Sequence, residues 1–475
     1  MLANPVINKG RWTEFVNQHA AASVSSGYRL LSNGADALAA RQVSSRYAHS
    51  RICVQTYIWE DDDTGRLLMA ELLTAAKRGL QIYLLLDDMD VRGNDYALAL
   101  LDQHPNIHIR LFNPFRFRFS PVHALVELIF RGSELNHRMH NKAWLVDGLF
   151  AVIGGRNIGD AYFDRSQDTN FIDLDMAVVG SEAAAAEASF WNYWEHPLAI
   201  PIYRLKRLRK AARIWEKHPL WLKLKQLPEM ANAITKTPPQ LSDHSPWLSP
   251  NHYQWHANAQ FIADNANKVQ RTSQQSAGVL QAILFRLARA KQQICIISPY
   301  FTPGEAGVAM LASLVAKGVE VKVLTNSLAS NDVLFAHSGY AKRRRSLLAA
   351  GVKLFEMKAE QKSRLRLSTA KASLHSKALL IDQQEVFVGS FNLGARSALI
   401  NTELGIFIDN KDMASRISKI FTESTRSEIC YRLRYINQRI VWQDTHRCYM
   451  REPDSRWWRR LLAWLAQQLP LESQL

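Results

Sequence analysis

The sequence predicts an α/β protein made of two repeated domains, and three observations predict it. The stretch "HNKAWLVDGLFAVIGGRN", His140 to Asn157, returns as "HSKALLIDQQEVFVGSFN", His375 to Asn392, with His, Lys, Asp, Gly and Asn at the same spacing. Upstream of each copy, strand-like and helix-like stretches alternate in the same order. The chain, at 475 residues, is longer than one hydrophobic core usually supports, and its 47% hydrophobic content marks a folded protein.

The elements follow in order. "RYAHSRICVQTYIW" (Arg46 to Trp59) answers "RLARAKQQICIISPYF" (Arg286 to Phe301), each a helix end followed by β-formers. "LLTAAKRGLQIYLLLDD" answers "LASLVAKGVEVKVLTNS", a helix closed by Gly79 or Gly318 and then an apolar strand. "NIHIRLFNP" and "GVKLFEM" are the next strands. Within each motif, two β-rich runs flank Asp147-Gly148 or Asp382, a short-turn signal that predicts a hairpin. The organisation is a first repeat in residues 1–200, a non-repeating basic insertion and Pro/Ser-rich linker in 201–265, a second repeat in 266–425 and a tail in 426–475.

Formal net charge is +16, which favours polyanionic partners: nucleic acid, anionic membrane or phosphorylated substrates. Cys53, Cys295, Cys430 and Cys448 form no CxxC pair or zinc-like spacing and are expected to pack in the interior of a protein kept in a reducing compartment. No stretch approaches the roughly 18 to 20 apolar residues that span a bilayer, and the start lacks the layout of a signal peptide.

The motifs carry the chemistry. His140 and Lys142 are predicted at i and i+2 of a strand, on one face, as are His375 and Lys377. Gly-Gly or Gly-Ser follows, where backbone can approach a ligand closely, and then Asn157 or Asn392, an amide donor suited to an oxyanion. None of these groups is negative, and two such clusters suit one phosphoryl group. One His attacks phosphorus while neutral; the other, protonated, donates to the leaving alkoxide. Asp147 and Asp382 fall at the turn, away from that face, and are structural. Downstream, "FIDLDMAVVG" and "INTELGIFID" align with Asp173 opposite Asn401 and Asp175 opposite Glu403. An acid beside the motif strand would accept the second imidazole N–H, and Asp175 and Glu403 are the candidates; surface strand acids are the alternative.

Two HxKxxxxD motifs, each followed by Gly-Gly/Ser-x-Asn, resemble the phospholipase D superfamily. The resemblance implies two tandem α/β/α sandwich domains related by a pseudo-two-fold axis, one active site at their interface, and no metal or cofactor. It assigns His140 as the nucleophile that forms a phospho-histidine and His375 as the acid, then the base. Further strings, "YIWEDD", "RLFNPF", "GGRNIGDAYFD", "HSGYAKRRR" and "RSALINTE", are most similar to the bacterial cardiolipin synthases of the C type. That implies transfer of a phosphatidyl group from phosphatidylglycerol or phosphatidylethanolamine to phosphatidylglycerol. It also implies a peripheral place on the bacterial inner membrane, on the cytoplasmic face.

Other stretches fit an anionic membrane surface. "IYRLKRLRKAARIWEKHPLWLKLKQ" carries nine Lys or Arg against one Glu. In "SRWWRRLLAWLAQQL", Trp457, Leu461, Trp464 and Leu465 share one helical face and Arg456, Arg459 and Arg460 line the other. For both, the alternative is a helix packed on its own domain with a solvated basic face. "RFRFSPVHALVELIFRG" could line an acyl-chain entrance or be an ordinary buried helix. His337, Tyr340 and Arg344 share a helical face, open to a headgroup role or a solvated one. A hydrolytic phospholipase D giving phosphatidic acid and a nuclease would share the catalytic apparatus. Charge set beside Trp and Leu, rather than along a stacking groove, argues against nucleic acid. Intact His, Lys and Asn in both motifs argue against a non-catalytic binding module, and one motif per half removes the need to dimerise for catalysis.

Overall fold

The computed structural model describes residues 14–15, 26–91, 94–116, 121–205, 247, 249–256, 258–269, 278–359 and 371–469. The basic stretch and linker between 206 and 246 lie outside them, as do residues 117–120 of the segment before the first motif. The described residues fall into two compact units. The first draws on Met1–Ile153, Asn157–Phe163 and Asp175–Phe261; the second on Gly154–Arg156, Asp164–Leu174 and Ile262–Leu475.

The first unit holds β1 (Ser26–Leu31), β2 (Arg51–Thr56), β3 (Gln81–Asp87), β4 (Ile107–Phe112), β5 (Ala143–Val146) and β6 (Phe150–Gly154). After β7 (Thr169–Ile172), which belongs to the second unit, come β8 (Asp175–Val179), β9 (Ala199–Pro201) and β10 (Gln254–His256). They form one sheet in the order β10-β1-β8-β6-β5-β2-β3-β4-β9. β2, β3 and β4 run parallel, and the β5/β6 hairpin joins them antiparallel through β2. Every residue of β5, β6 and β8 is buried, as in a sheet covered on both faces. The helix Ser181–Trp194 packs on β1, β2, β5 and β8.

The second unit repeats the pattern. After β11 (Ala259–Ala263), which crosses the boundary at Phe261, it holds β12 (Gln293–Ile297), β13 (Glu320–Asn326), β14 (Lys353–Met357), β15 (Lys371–Leu374), β16 (Ala378–Ile381), β17 (Glu385–Gly389) and β18 (Leu404–Asp409). β19 (Cys430–Ile436), β20 (Arg439–Gln443) and β21 (Cys448–Tyr449) follow. The sheet order is β11-β18-β17-β16-β12-β13-β14-β19-β20-β21. β12, β13 and β14 are parallel, and the β16/β17 hairpin joins through β12. Ile294, Ile296, Val321, Val323, Leu354 and Leu379 from these strands lie in one core. The residues after 425 are therefore no separate tail: β19 pairs with β14 and extends this sheet.

The hairpin turns explain the motif aspartates. Asp147 and Gly148 have φ of 56° and 68°, and Asp382 and Gln383 have 52° and 53°, the left-handed pair that a tight hairpin of this twist requires. The Asp147 carboxylate accepts the N–H groups of His49, Ser50 and Arg51 at 2.7 to 2.9 Å. Asp382 accepts those of Lys291, Gln292 and Gln293 at 2.7 to 3.0 Å. Each Asp thus ties its turn to the chain entering the central strand, β2 or β12.

Three surface features differ from the sequence expectations. Cys53, Cys295 and Cys430 are buried, but Cys448 is exposed. The helix Pro121–Leu135 is no ordinary buried helix: Val122, Leu125, Val126, Ile129 and Phe130, at successive i, i+3 and i+4 positions, are all exposed. His337, Tyr340 and Arg344 form no open site; they are buried, with Arg344 between Glu356 (2.9 Å) and Glu452 (2.5 Å). Burial opposes that guanidinium's charge, but the two carboxylates outweigh it and push its pKa up. Among the described residues no helix is long and apolar enough to cross a membrane.

Candidate active site

Each motif histidine stands just outside a strand rather than in one. β5 begins at Ala143, after His140 and Lys142, and His375 to Lys377 fall between β15 and β16. The reason is visible in the second unit: the N–H groups of both His375 and Ser376 donate to the carbonyl of Ile172, at 2.8 and 3.0 Å, so the regular ladder ends there. The lysines fold back instead. Lys142 Nζ donates to the carbonyl of His140 at 2.8 Å, and Lys377 Nζ to that of His375. All four side chains are buried.

In the first unit, His140 packs against the edge of Tyr57, ring centroids 5.1 Å apart, and Lys142 Nζ lies 5.2 Å from the centre of the same ring. Asn157 gives one N–H to Tyr162 Oη at 2.9 Å, and its Oδ1 accepts from the Ile58 N–H at 3.3 Å. An amide has two N–H groups, so one remains. In the second unit, Tyr300 stands edge-on to His375 at 6.3 Å, with its hydroxyl on Asp332. Asn392 is buried, and its Oδ1 has no hydrogen-bond partner among the described residues.

The acid on His375 is Asp173. Its Oδ2 lies 2.5 Å from His375 Nδ1, and both side chains are buried. Burial alone would raise this carboxyl; the charges of Lys377, His375 and Arg156 and the bond from His375 outweigh it, so its pKa is lowered. Lys377 Nζ also comes within 2.8 Å of Nδ1. That nitrogen holds one proton, which an acceptor-only carboxylate takes and an ammonium does not, so Nδ1–H donates to Asp173. Asp173 arrives there because β7 pairs in parallel with β15, Ile172 against Leu374. The second Gly of the Gly-Gly pair makes room: a Cβ on Gly155 would meet Asp173 Oδ1 at 2.2 Å.

This corrects the expectation that Asp175 is the acid on a motif imidazole. Asp175 forms a buried ion pair with Arg41 at 2.9 Å in the first unit. Glu403 accepts the Ser390 and Ser397 hydroxyls at 2.5 and 2.6 Å. The internal register explains the slip. Gly155 N–H donates to the carbonyl of Leu174, and Ser390 N–H to that of Leu404. Leu174 therefore matches Leu404, and Glu403 answers Asp173 rather than Asp175.

Sequence reasoning missed a second pair of supports. Asp87, at the end of β3, accepts the N–H of Met139 at 2.9 Å, and Arg138 Nη1 at 3.3 Å. Burial raises the Asp87 pKa against the opposing charge of Arg138. Asn326, at the end of β13, accepts the N–H of Leu374 at 3.0 Å and donates to its carbonyl at 2.9 Å. Met139 and Leu374 are the residues before His140 and His375, so the same strand end fixes the approach to each histidine. A signal was available: Asp87 and Asn326 occupy equal places in the two repeats, each closing the strand that follows Gly79 or Gly318.

Fold and motif geometry together define a two-domain protein of the phospholipase D type. A family model for the cardiolipin synthase, phospholipase D-like domain matches residues 46–194 and 283–425. The chain is 38% identical over 466 residues to cardiolipin synthase C of Escherichia coli (strain K12), covering 93% of this chain and 94% of that one. It is 27% identical over 398 residues to cardiolipin synthase A of Pseudomonas syringae pv. syringae (strain B728a), covering 83% and 67%. The crystal structure of phosphatidylserine synthase of Haemophilus influenzae Rd KW20 shares the fold, with a TM-score of 0.61 at 14% identity over 98% of this chain and 100% of that chain. This chain belongs to the cardiolipin synthase family of phospholipase D-like proteins.

Proposed function

We propose that this protein makes cardiolipin by transferring a phosphatidyl group to phosphatidylglycerol, with phosphatidylglycerol or phosphatidylethanolamine as donor. The observation that carries the chemistry is the buried Asp173 carboxylate on His375 Nδ1. It favours the imidazolium, which is the form a general acid needs. The substrate class is supported by the relatedness to cardiolipin synthases and by the exposed apolar stripe of Pro121–Leu135, a feature suited to lipid rather than nucleic acid.

In this reading both histidines serve one phosphorus. His140 forms a P–N bond as the donor's P–O bond breaks, and His375 gives its proton to the departing glycerol or ethanolamine oxygen. The hydroxyl of the acceptor phosphatidylglycerol then loses its proton to His375 and attacks phosphorus, and the P–N bond breaks. Lys142 and Lys377, each folded onto the carbonyl of its own histidine, bind the phosphoryl oxygens beside Asn157 and Asn392 in this reading. Glu403, the repeat counterpart of Asp173, remains our candidate for a positioning acid. We place the enzyme peripherally on the cytoplasmic face of the inner membrane.

The test is product analysis by mass spectrometry, with phosphatidylglycerol vesicles, with and without phosphatidylethanolamine, in excess chelator. Cardiolipin with released glycerol or ethanolamine is expected, and His140→Ala and His375→Ala should each abolish it in a folded protein. Phosphatidic acid alone would replace the transferase by a hydrolase. An active His140→Ala enzyme would overturn the phospho-histidine step.

A further inference from the structure

The C-terminal helix Trp457–Gln467 is turned the opposite way from a packing helix. Its buried residues are Ala463 and Ala466, 4% and 9% exposed, and it packs against the helix Leu334–Ala349. Its large apolar side chains face out: Trp457 is 70% exposed, Trp464 55%, and Leu461, Leu462 and Leu465 nearly half. A helix serving its own domain would bury the Trp and Leu and show the Ala. Arg459 is held inward, donating to the carbonyl of Asn331.

The second observation concerns charge. Beside the first turn of this helix opens a cavity of about 650 Å³ lined by residues 448–456 and Arg460. Its two carboxylates are engaged elsewhere, Glu452 by Arg344 and His337, and Asp454 by the Tyr431 hydroxyl. Arg451, Arg456 and Arg460 line the same cavity and have no side-chain partner among the described residues. Three uncommitted guanidiniums beside an outward apolar helix match the two parts of an anionic phospholipid: a phosphate for the cavity and acyl chains for the Trp and Leu.

We infer that this helix and the adjoining arginine cavity form a docking site for anionic phospholipid in a bilayer surface, with the helix lying in the interface and a lipid phosphate held by Arg451, Arg456 and Arg460. The site is separate from both histidine motifs in the sequence. It deepens the lipid reading proposed above and rests on it for its meaning, but its readout does not need turnover.

The experiment uses the full-length His375→Ala protein, which binds without reacting, and flotation with vesicles of phosphatidylcholine alone or mixed with phosphatidylglycerol. Replacing Trp457, Leu461 and Trp464 by Ser should weaken binding about tenfold or more, because these groups are exposed and their loss leaves the fold intact by circular dichroism. Residual binding through the exposed stripe of Pro121–Leu135 should remain. Replacing Arg451, Arg456 and Arg460 by Gln should weaken binding to phosphatidylglycerol vesicles about 100-fold and leave binding to phosphatidylcholine unchanged. A thiol fluorophore on Leu461→Cys, in a Cys448→Ser background, should shift to the blue with vesicles. In otherwise wild-type protein, the two triple variants should keep turnover on detergent-dispersed phosphatidylglycerol. Unchanged flotation of both triple variants, or no fluorophore shift, would overturn the inference whether or not cardiolipin is made. Lipid-free dimers that the Trp and Leu substitutions dissociate would overturn it in favour of a second copy of the chain.

Discussion

Asp173→Asn separates a positioning carboxylate from a merely structural one. The pair is 2.5 Å long and both partners are buried, so little solvent screens it. A carboxylate and a cation at such range move each other's pKa by about 1 to 3 units in opposite directions. Asparagine keeps the shape that fits against Gly155 but removes the charge, so His375 should lose its proton at lower pH. The acid that must protonate the leaving group is then scarcer and less well oriented, and a loss of about 10²- to 10⁴-fold in kcat is expected. The assay is cardiolipin formation from phosphatidylglycerol vesicles between pH 5 and 9. The descending limb at high pH should move down by about 1 to 2 units. Stability supplies the control. A lowered carboxyl stabilises the fold above its unfolded value, near pH 4, and that contribution is lost as pH falls through the folded value. The variant lacks it at every pH, so its melting deficit should be largest at neutral pH and close on acidification. Activity within threefold of wild type with an unmoved pH profile would refute the role given to Asp173.

Three further outcomes are expected. Asp175→Asn breaks the buried pair with Arg41 and should cost about 3 to 5 kcal/mol of stability in urea unfolding, while the protein that remains folded keeps its kcat and pH profile. Asn326→Ala removes both bonds to Leu374 and should lower kcat at least about tenfold with little change in KM, whereas Asn326→Asp, which can still accept the N–H as Asp87 does in the first repeat, should fall between. Asp102, at the C-terminal end of a helix, has its carboxyl raised to about 6 by burial against the opposing bond from Ile109 N–H. A raised acid destabilises the fold as pH climbs from 4 through 6, by about 3 kcal/mol at full burial and roughly half that with solvent contact. Asp102→Asn keeps the acceptor for Ile109, so its melting point should match wild type near pH 4 and exceed it at pH 7; a gap independent of pH would count against the shift.

The sequence made the repeat legible because strands of one face and hairpin turns leave strong local signals. Asp147-Gly148 and Asp382-Gln383 sit where short polar residues can take positive φ, and both turned out to be turns with capped strand entries. The partner of His375 was not legible in the same way. "FIDLDM" offers two acids two residues apart, and strand periodicity places both on one side, so alignment by residue type matched the wrong one to Glu403. Only the pairing of β7 with β15, a contact across 202 residues, separates Asp173 from Asp175. The orientation of Trp457–Gln467 was likewise beyond the sequence, because an amphipathic pattern says that a helix has two faces and does not say which one meets its own domain.

Duplication alone would give two equal histidines, yet the proposed chemistry needs unequal ones, a neutral nucleophile and a charged acid. The chain breaks its own symmetry at the supports rather than at the motifs. His, Lys and Asn are the same in both halves, while Asp173 answers Glu403 and Asp87 answers Asn326. Asp87 brings a carboxylate and Arg138 to the entry of the first motif; Asn326 brings a neutral amide to the second. Asp173 reaches His375 with a single buried carboxylate, whereas Glu403 divides its two oxygens between Ser390 and Ser397. Because pKa follows the environment of a group and not its identity, the proposed division of roles between two identical imidazoles rests on these unequal supports. Exchanging the support acids, Asp173→Glu with Glu403→Asp, should therefore degrade turnover even though every motif residue is retained.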